Sequence, residues 1–209
     1  MWRAVSRASM ASAATPLRLA LGAHLGQVLT PEVAAAIELS AVESVNRSPS
    51  MFGSVQCGDY FIQVERFADI VDELHELHEL HWQETEKHRH GLAMRPDYLA
   101  FMARERAGSL LQFTVRTRAG ELVGNLRMFL AVSLHTQTRY ASEDTVFIKP
   151  EHRGGYTVMA LLRFAEDCLR ALEIKEIRFT TKHVNRVDVL MRRAGYAPVA
   201  TEFVKFLEE

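Results

Sequence analysis

The sequence predicts an α/β fold of the α+β type, in which a mixed, mostly antiparallel central sheet is flanked by helices. Three observations support this prediction. Strand-like and helix-like segments are interleaved along residues 59–209 of the 209-residue chain. Three consecutive strands in the middle form a meander, and an amphipathic helix then leads into a further strand. The apolar fraction of 48% is enough to build a sizeable core.

Within residues 59–209, the predicted order is strand, two helices, three strands, helix, strand, helix, strand. Apolar residues alternate in the strands and recur at helical spacing in the helices. A proline opens the second helix and a glycine closes it. The predicted bounds are 60–64, then about 68–86 and 97–106, then 110–117, 122–132 and 142–148, and finally 158–172, 176–181, 187–194 and 201–206.

Residues 1–58 are predicted to form an N-terminal extension. Residues 17–21 are a short apolar run that we interpret as a strand. The sequence Thr30-Pro31-Glu32 is typical of a helix start, and we expect a helix to about Val45. The polar segment 46–58 contains Pro49 and Gly53, so it is predicted to be a loop and the boundary with the main domain, 59–209.

Charge and cysteine content exclude several classes of protein. The chain has 25 basic and 26 acidic residues, a balance that argues against a dedicated nucleic-acid binder. Its two cysteines, Cys57 and Cys168, fit no metal spacing and indicate a reducing compartment. No apolar run approaches the roughly 20 residues that span a bilayer. We therefore expect no nucleic-acid partner and no membrane partner.

The first residues allow two interpretations. Residues 1–31 contain no acid, and residues 1–15 are rich in alanine and serine with Arg3 and Arg7. This composition is typical of a targeting segment. The alternative is a stretch upstream of a second start at Met10.

Residues 145–162 carry the strongest chemical signal. A strand ends at a proline, and an Arg-Gly-Gly turn then leads into an apolar helix. Glycines let the backbone approach a ligand closely, and the first turn of a helix offers unpaired N–H groups. A phosphate or pyrophosphate suits such a turn, and Arg153 would add a charge-assisted contact. An ordinary strand-to-helix connection explains the same residues equally well.

Histidines cluster in the first long helix and just after it. Five of the nine lie within residues 75–90. Spacing by three fans His75, His78 and His81 around a helix, whereas zinc helices usually place two histidines four apart. We therefore predict no metal site. The acids that alternate with these histidines indicate a solvated helix face.

Two sets of residues resemble known proteins. The strand before Pro150, the turn at Arg153, the helix, the next strand, Asn185 and Gly195-Tyr196 together resemble the GCN5-related N-acetyltransferase (GNAT) superfamily, over residues 59–209. Four further strings resemble a bacteriophage-encoded, acetyltransferase-like subgroup of that superfamily: His81–Glu86, His88–Gly91, Ser133–Thr138 and Ala141–Asp144.

The resemblance implies acetyl-CoA as the co-substrate. In the family, the strand before the glycine turn splays from its neighbour, and its backbone pairs with the pantetheine arm. The turn holds the pyrophosphate, and a later asparagine, here Asn185, orients the arm. The strand residues are then Val146, Phe147 and Ile148, and the turn residues are Arg153, Gly154, Gly155, Tyr156, Thr157 and Val158.

The resemblance also implies an acceptor side, walled by the first two helices and the loop between them. This assigns Trp82, Glu86, His88 and His90 to the acceptor pocket. For Trp82, a place in the hydrophobic core is the alternative.

An acetyltransferase needs a base, because an amine must be neutral to attack a thioester. Glu143, at the start of the cofactor strand, is the candidate, and a solvated strand end is the alternative. The family's thiolate-protonating tyrosine falls at Met191, and Tyr196 is the nearby candidate. Tyr156 and Val158 stand where the family has glycine or alanine.

Two functions follow. The first is an N-acetyltransferase, phage- or bacterium-encoded, that acts on a small-molecule or protein amine in the bacterial cytoplasm. The second is a non-catalytic component of a bacteriophage particle with the same fold, packed against phage structural proteins or further copies of itself. The altered glycine turn, Met191 and the N-terminal extension favour the second.

Overall fold

The computed structural model describes residues 21, 24–45, 49–87, 93–154, 156–182 and 187–205. Its centre is a six-stranded sheet in which strand order follows chain order. The first five strands are antiparallel and the last pair is parallel, which confirms the predicted mixed sheet. The strands are β1 (Ser54–Cys57), β2 (Tyr60–Glu65), β3 (Leu110–Thr117), β4 (Leu122–Val132), β5 (Arg139–Ile148) and β6 (Glu176–Arg178).

Helices cover both faces of this sheet. Phe147 packs in one buried cluster and its neighbours Val146 and Ile148 in the other, as the alternation of side chains along a strand requires. The Phe147 face carries two helices and the opposite face carries two more. The helices are α1 (Pro31–Val45), which precedes the sheet, α2 (Val71–His81) and α3 (Tyr98–Arg106) on the Phe147 face, and α4 (Thr157–Ala171) and α5 (Val187–Arg193) on the other.

Most element predictions are confirmed. The strands β3 and β4 have the predicted bounds, and Thr30 accepts a hydrogen bond from the Val33 amide at the start of α1. The predicted helix 68–86 is divided into a 3-10 turn (Phe67–Asp69), α2, and a π-helix (Trp82–Glu86). None of the described helices is long and apolar enough to cross a bilayer.

The predicted loop 46–58 is wrong over Ser54–Cys57, which form β1 and pair with β2. Val55 and Cys57 pack against the core, while Ser54 and Gln56 are exposed. This alternation is the pattern of an edge strand, and its polar composition hid it. The sheet thus includes four residues of the predicted N-terminal extension. The extension as a separate unit stays a prediction, and residues 1–20, with most of the predicted strand 17–21, lie outside the described residues.

The predicted last strand is also wrong over its described part. Residues 201–205 form no strand and are exposed. A strand needs the backbone of a neighbour to satisfy its N–H and C=O groups, and this segment leaves the domain before it meets one. Phe206 lies outside the described residues.

The parallel pair β5–β6 is short. It consists of Tyr140 opposite Glu176, Ala141 opposite Ile177, and Ser142 opposite Arg178. Beyond Ser142, β5 continues to Ile148, whereas the chain after Arg178 no longer pairs with it. We term the opening between residues 143–148 and 179–182 the splay cleft.

A β-bulge in β5 changes which way its side chains face. Thr145 is opposite Arg127, but Glu143 is opposite Met128, so Asp144 is an extra residue. The bulge places Asp144 on the α2 face with Thr145, and its carboxylate accepts hydrogen bonds from Nε and Nη2 of Arg127 at 2.8 and 2.6 Å. Glu143 remains on the side of the splay cleft, where the amide of Thr180 reaches it.

A chain of hydrogen bonds connects Arg127 with the surface. Arginine only donates, so Nε2 of His78, at 3.1 Å from Arg127 Nη1, must accept. The proton of His78 is then on Nδ1 and is donated to the Tyr98 hydroxyl at 3.2 Å. That hydroxyl in turn donates to Nδ1 of His75 at 2.8 Å. The histidines of α2 thus position Arg127, and no three described His, Cys, Asp or Glu side chains are arranged to hold a metal ion.

His78 is 7% exposed, so the predicted solvated face does not include it. Burial lowers its pKa from 6.5 to about 3, and the positive charge of Arg127 adds to this effect. The neutral form is therefore the one that the hydrogen-bond chain requires.

We expect acid to destabilise the protein through His78. The unfolded chain binds this proton near pH 6.5, whereas the folded protein binds it only near pH 3. The stability that neutral His78 contributes is therefore complete above pH 6.5 and is lost as the pH falls towards 3, at up to about 1.4 kcal/mol per pH unit. Urea unfolding measured at several pH values should show a shallower dependence in His78→Gln than in the wild type.

The difference between the two unfolding curves isolates His78 from every other titrating group. His135→Gln is the matched control, because His135 is exposed in the β4–β5 loop and should leave the dependence unchanged. Identical curves for His78→Gln and the wild type would contradict this account.

Candidate functional site

Glu143 lies at the point where β5 and β6 stop pairing. Its neighbour Ser142 is the last paired residue of β5, and the amide of Thr180 donates to Glu143 Oε2 at 3.3 Å. The pKa of Glu143 is raised from 4.5 to about 7, mainly by burial and also by the adjacent Asp144 charge, while the Thr180 hydrogen bond acts in the opposite direction. A carboxyl group with this pKa can take up and release a proton at neutral pH.

The π-helix Trp82–Glu86 links the two sides of the splay cleft. Glu84 binds Arg153, which follows β5, through two parallel contacts of 3.0 and 2.6 Å. Glu86 binds Lys182, which follows β6, at 3.1 Å. A π-helical turn inside a helix is uncommon and occurs frequently at functional sites. The helix of the predicted acceptor side is therefore bonded to both walls of the cleft.

Arg153 is fixed by a third contact on the β5 side. Its Nε donates to the carbonyl oxygen of Ile148 at 2.7 Å, and its guanidinium carbon lies 5.2 Å from the centre of the Phe147 ring. Each of the three guanidinium nitrogens of Arg153 thus has a hydrogen-bond partner within the protein.

The glycine turn is open to solvent. A Cβ atom added to Gly154 would meet nothing within 4 Å, and Tyr156 is 84% exposed, so its ring does not fill the turn. No side chain among the described residues caps the start of α4. Three amides of the turn are already used, since Arg153 donates to Pro150, Gly154 donates to His152, and Thr157 donates to Gly154. The N–H groups at the start of α4 are therefore the groups of this turn that can bind an anion.

The turn is also held from β2. Nδ1 of His152 lies 3.1 Å from the Tyr60 hydroxyl, and the two rings meet edge to face. This contact fixes the connection between β5 and α4 to the body of the sheet.

The remaining predicted residues have varied surroundings. Val146, Ile148 and Val158 pack their side chains against the core beside α4. For Val146 and Ile148 on β5, only the backbone therefore faces the cleft. Trp82 is half-buried at the start of the π-helix. Four predicted residues lie outside the described residues: His88, His90, Gly155 and Asn185.

Tyr196 stays a predicted catalytic residue. Its hydroxyl donates to Glu166 of α4 at 2.9 Å, and its ring contacts Phe179 edge to face. Burial raises the pKa of this hydroxyl, so it keeps its proton at neutral pH. Met191, at the position of the family's tyrosine, is buried in the core.

Sequence reasoning missed the residues that act through long-range contacts. Nδ1 of His81 lies 3.0 Å from the Thr145 hydroxyl, and burial lowers the pKa of His81, so it is neutral like His78. Glu84 lies within His81–Glu86, one of the strings that resemble the phage-encoded subgroup. No feature of the neighbouring sequence indicates that Arg153 is its partner. The missed residues are His78, His81, Glu84, Arg127, Asp144, Thr145 and Lys182.

No family model and no curated protein sequence matches the chain. Solved structures do match it. A ribosomal-protein-alanine N-acetyltransferase from Brucella melitensis superposes with a TM-score of 0.57 at 18% identity, over 71% of this chain and 99% of that one. An aminoglycoside acetyltransferase from an uncultured soil metagenomic sample, solved with sisomicin, gives 0.56 at 12% identity, over 72% and 96%.

A glucosamine-6-phosphate N-acetyltransferase from Arabidopsis thaliana gives a TM-score of 0.56 at 10% identity, over 71% of this chain and 99% of the plant chain. Three acetyltransferases with different named substrates thus share the arrangement of strands and helices seen here. The chain has the GNAT acetyltransferase fold.

Proposed function

We propose that this chain is an N-acetyltransferase that transfers the acetyl group of acetyl-CoA to an amine, with Glu143 as the general base. The observation that carries the proposal is the position of the Glu143 carboxyl group, which lies where two parallel strands stop pairing and accepts a hydrogen bond from the Thr180 amide. Burial at this position raises its pKa to about 7. The fold, shared with solved acetyltransferases, supports the same conclusion.

The splay cleft suits the shape of acetyl-CoA. Among the described residues, no strand pairs with the cleft side of β5 from Glu143 to Ile148, so an extended ligand can bind there as an added strand would. The open space at Gly154 and the uncapped start of α4 suit the pyrophosphate. Acetyl-CoA supplies the thioester carbonyl that the acceptor amine attacks.

Glu143 makes that attack feasible. Its carboxylate removes a proton from the acceptor ammonium, and the neutral amine then attacks the carbonyl carbon. The C–N bond forms, the C–S bond breaks, and the thiolate that leaves takes up a proton. A base whose pKa is close to the working pH is deprotonated often enough to act and basic enough to accept. Tyr196, which retains its proton at neutral pH, stays the predicted acid.

The acceptor is proposed to approach from the π-helix side. Trp82 and Glu86 belong to the π-helix, and Glu86 is joined to Lys182 at the far wall of the cleft. His88 and His90 follow directly in the sequence. A protonated amine is positively charged, so it can pair with the Glu143 carboxylate before it gives up its proton.

A structural role in a bacteriophage particle is the second candidate. The observation that favours it is the turn itself, in which the arginine side chain and three backbone amides are already bonded within the protein. Calorimetric titration with acetyl-CoA distinguishes the two functions. The enzyme binds it, whereas a purely structural protein gives no heat and no thermal stabilisation at millimolar acetyl-CoA.

We expect Glu143 to set the pH dependence of acetyl transfer. Release of the CoA thiol, measured with a panel of aminoglycosides, amino sugars and peptide amines, should increase about tenfold per pH unit below pH 7 and level off above it, because only the deprotonated carboxyl group acts. Glu143→Gln should reduce kcat by about 10²- to 10⁴-fold with little change in the Kd for acetyl-CoA.

The ratio of wild-type to Glu143→Gln rates cancels the ionisation of the acceptor itself. Glu151→Gln is a matched control, because Glu151 is exposed on the 3-10 turn after β5. A ratio that does not vary with pH would contradict the role of Glu143 while leaving acetyl-CoA binding intact.

We expect Glu84 to compete with the pyrophosphate for Arg153. In Glu84→Gln the guanidinium loses its carboxylate partner and is free to bind phosphate oxygens. The pair is partly exposed, so the Kd for acetyl-CoA should decrease by about threefold, as expected for an ion pair worth less than about 1 kcal/mol. Calorimetry measures this directly.

Asp59→Asn is the matched control, since it breaks the exposed pair of Asp59 with Arg118 at the β1–β2 turn. Its affinity for acetyl-CoA should equal that of the wild type. Weaker binding by Glu84→Gln than by the wild type would show that Arg153 is not part of the phosphate site.

A further inference from the structure

A cavity of about 380 Å³ lies at the end of the sheet opposite to the splay cleft, and we term it the end pocket. Its walls include Arg139, the first residue of β5, and Leu172, which directly follows α4. The splay cleft and the glycine turn lie beside the other ends of the same two elements. Since the 15-residue helix α4 alone is roughly 22 Å long, the end pocket is separate from the proposed acetyl-CoA site.

Apolar side chains from several elements line the end pocket. Val64 and Leu172 belong to the buried core, and three further lining residues pack against that core: Phe52, Leu111 and Leu130. A cavity of several hundred Å³ with apolar walls and a few charged groups is the usual form of a small-molecule site. The end pocket therefore suits a ligand with an apolar body.

The two acidic side chains of the lining already have partners. Glu65 Oε2 accepts a hydrogen bond from Arg116 Nε at 2.8 Å. The carboxylate of Glu105 accepts hydrogen bonds from the backbone amides of Phe67 and Ala68. Neither carboxylate therefore needs a cation from a ligand, and both would repel a ligand of high negative charge.

Arg139 gives the end pocket a positive charge. Its Nη1 donates to the carbonyl oxygen of Leu172 at 2.8 Å, which holds the guanidinium group at the wall and uses one of its five N–H donors. None of the ion pairs among the described residues involves Arg139. Arg66, whose ion pair with Asp69 is 4.0 Å long, and Arg106 also line the pocket and are exposed. The charge that the lining offers to a ligand is therefore positive.

We propose that the end pocket binds a small organic anion, a carboxylate with an apolar body. The apolar wall takes the body, and Arg139 binds the carboxylate, a group that matches the planar guanidinium with two parallel hydrogen bonds. Glu65 and Glu105 disfavour a doubly charged phosphate, because like charges repel each other strongly in a partly buried site. A singly charged carboxylate meets less of this repulsion.

Titration of the full-length, 15N-labelled protein with octanoate tests the site by NMR. The backbone amide signals of Leu111, Leu130 and Arg139 should shift and reach saturation at millimolar octanoate, whereas those of Val146 and Gly154 beside the splay cleft should not move. Octanamide has the same apolar body without the charge. It should bind at least about tenfold more weakly, because a hydrogen bond to a charged group is stronger than one to a neutral group.

A substitution of Arg139 separates the charged contact from the apolar one. Arg139→Gln should weaken octanoate binding by about tenfold or more and leave octanamide binding unchanged, with the far-UV circular dichroism of the wild type. Arg118→Gln is the matched control, since Arg118 lies at the β3–β4 turn, at the other end of β3 from the pocket, and should bind octanoate as the wild type does.

Three results would overturn the proposal. The first is the absence of saturable shifts at Leu111, Leu130 and Arg139, including the case in which only the signals of Val146 and Gly154 move. The second is equal binding of octanoate and octanamide, and the third is unchanged octanoate binding by Arg139→Gln. None of these measurements depends on acetyl-CoA or on activity, so their failure would leave the proposed acetyl transfer untouched.

Discussion

The ion pair between Arg127 and Asp144 is the interaction on which the candidate site depends. Arg127 is 5% exposed beneath α2, and a buried guanidinium group is strongly destabilising unless a carboxylate is bound to it. Asp144 reaches it because the bulge adds one residue to β5. The same extra residue keeps Glu143 on the side of the splay cleft, where burial raises its pKa. The bulge in β5 therefore determines both how α2 packs over Arg127 and where the candidate base Glu143 lies.

The π-helix extends this coupling to the cleft. Glu84 and Glu86 are two residues apart, so their side chains point to different sides of the helix. Here they bind Arg153 and Lys182, which follow β5 and β6 respectively. The helix that faces the proposed acceptor is thus bonded to the turn that faces the proposed pyrophosphate. A ligand that binds Arg153 in place of Glu84 leaves the Glu84 carboxylate without its cation on the acceptor side. Arg153 therefore connects the proposed pyrophosphate site with the proposed acceptor site.

The sequence predicted the elements whose signals are local. β3 and β4 are joined by a tight turn containing Gly120, and their bounds are those predicted. β1 was missed because an edge strand of mixed polarity resembles a loop. The last strand was predicted from a pattern that specifies an apolar face but not its partner. The position of Glu143 was predicted from the resemblance, whereas its pKa depends on burial by residues distant in the sequence, and the contacts of Glu84 and Arg127 have no local signal at all.

The central claim is that the backbone of β5 and the turn after it bind acetyl-CoA. The most direct measurement follows the backbone amide signals of the 15N-labelled protein by NMR during titration with acetyl-CoA. The account predicts shifts for Val146, Phe147, Ile148 and Gly154 and none for β1, which lies at the far edge of the sheet. Unchanged signals at these four residues at about 100 times the micromolar Kd expected of a specific site would contradict it.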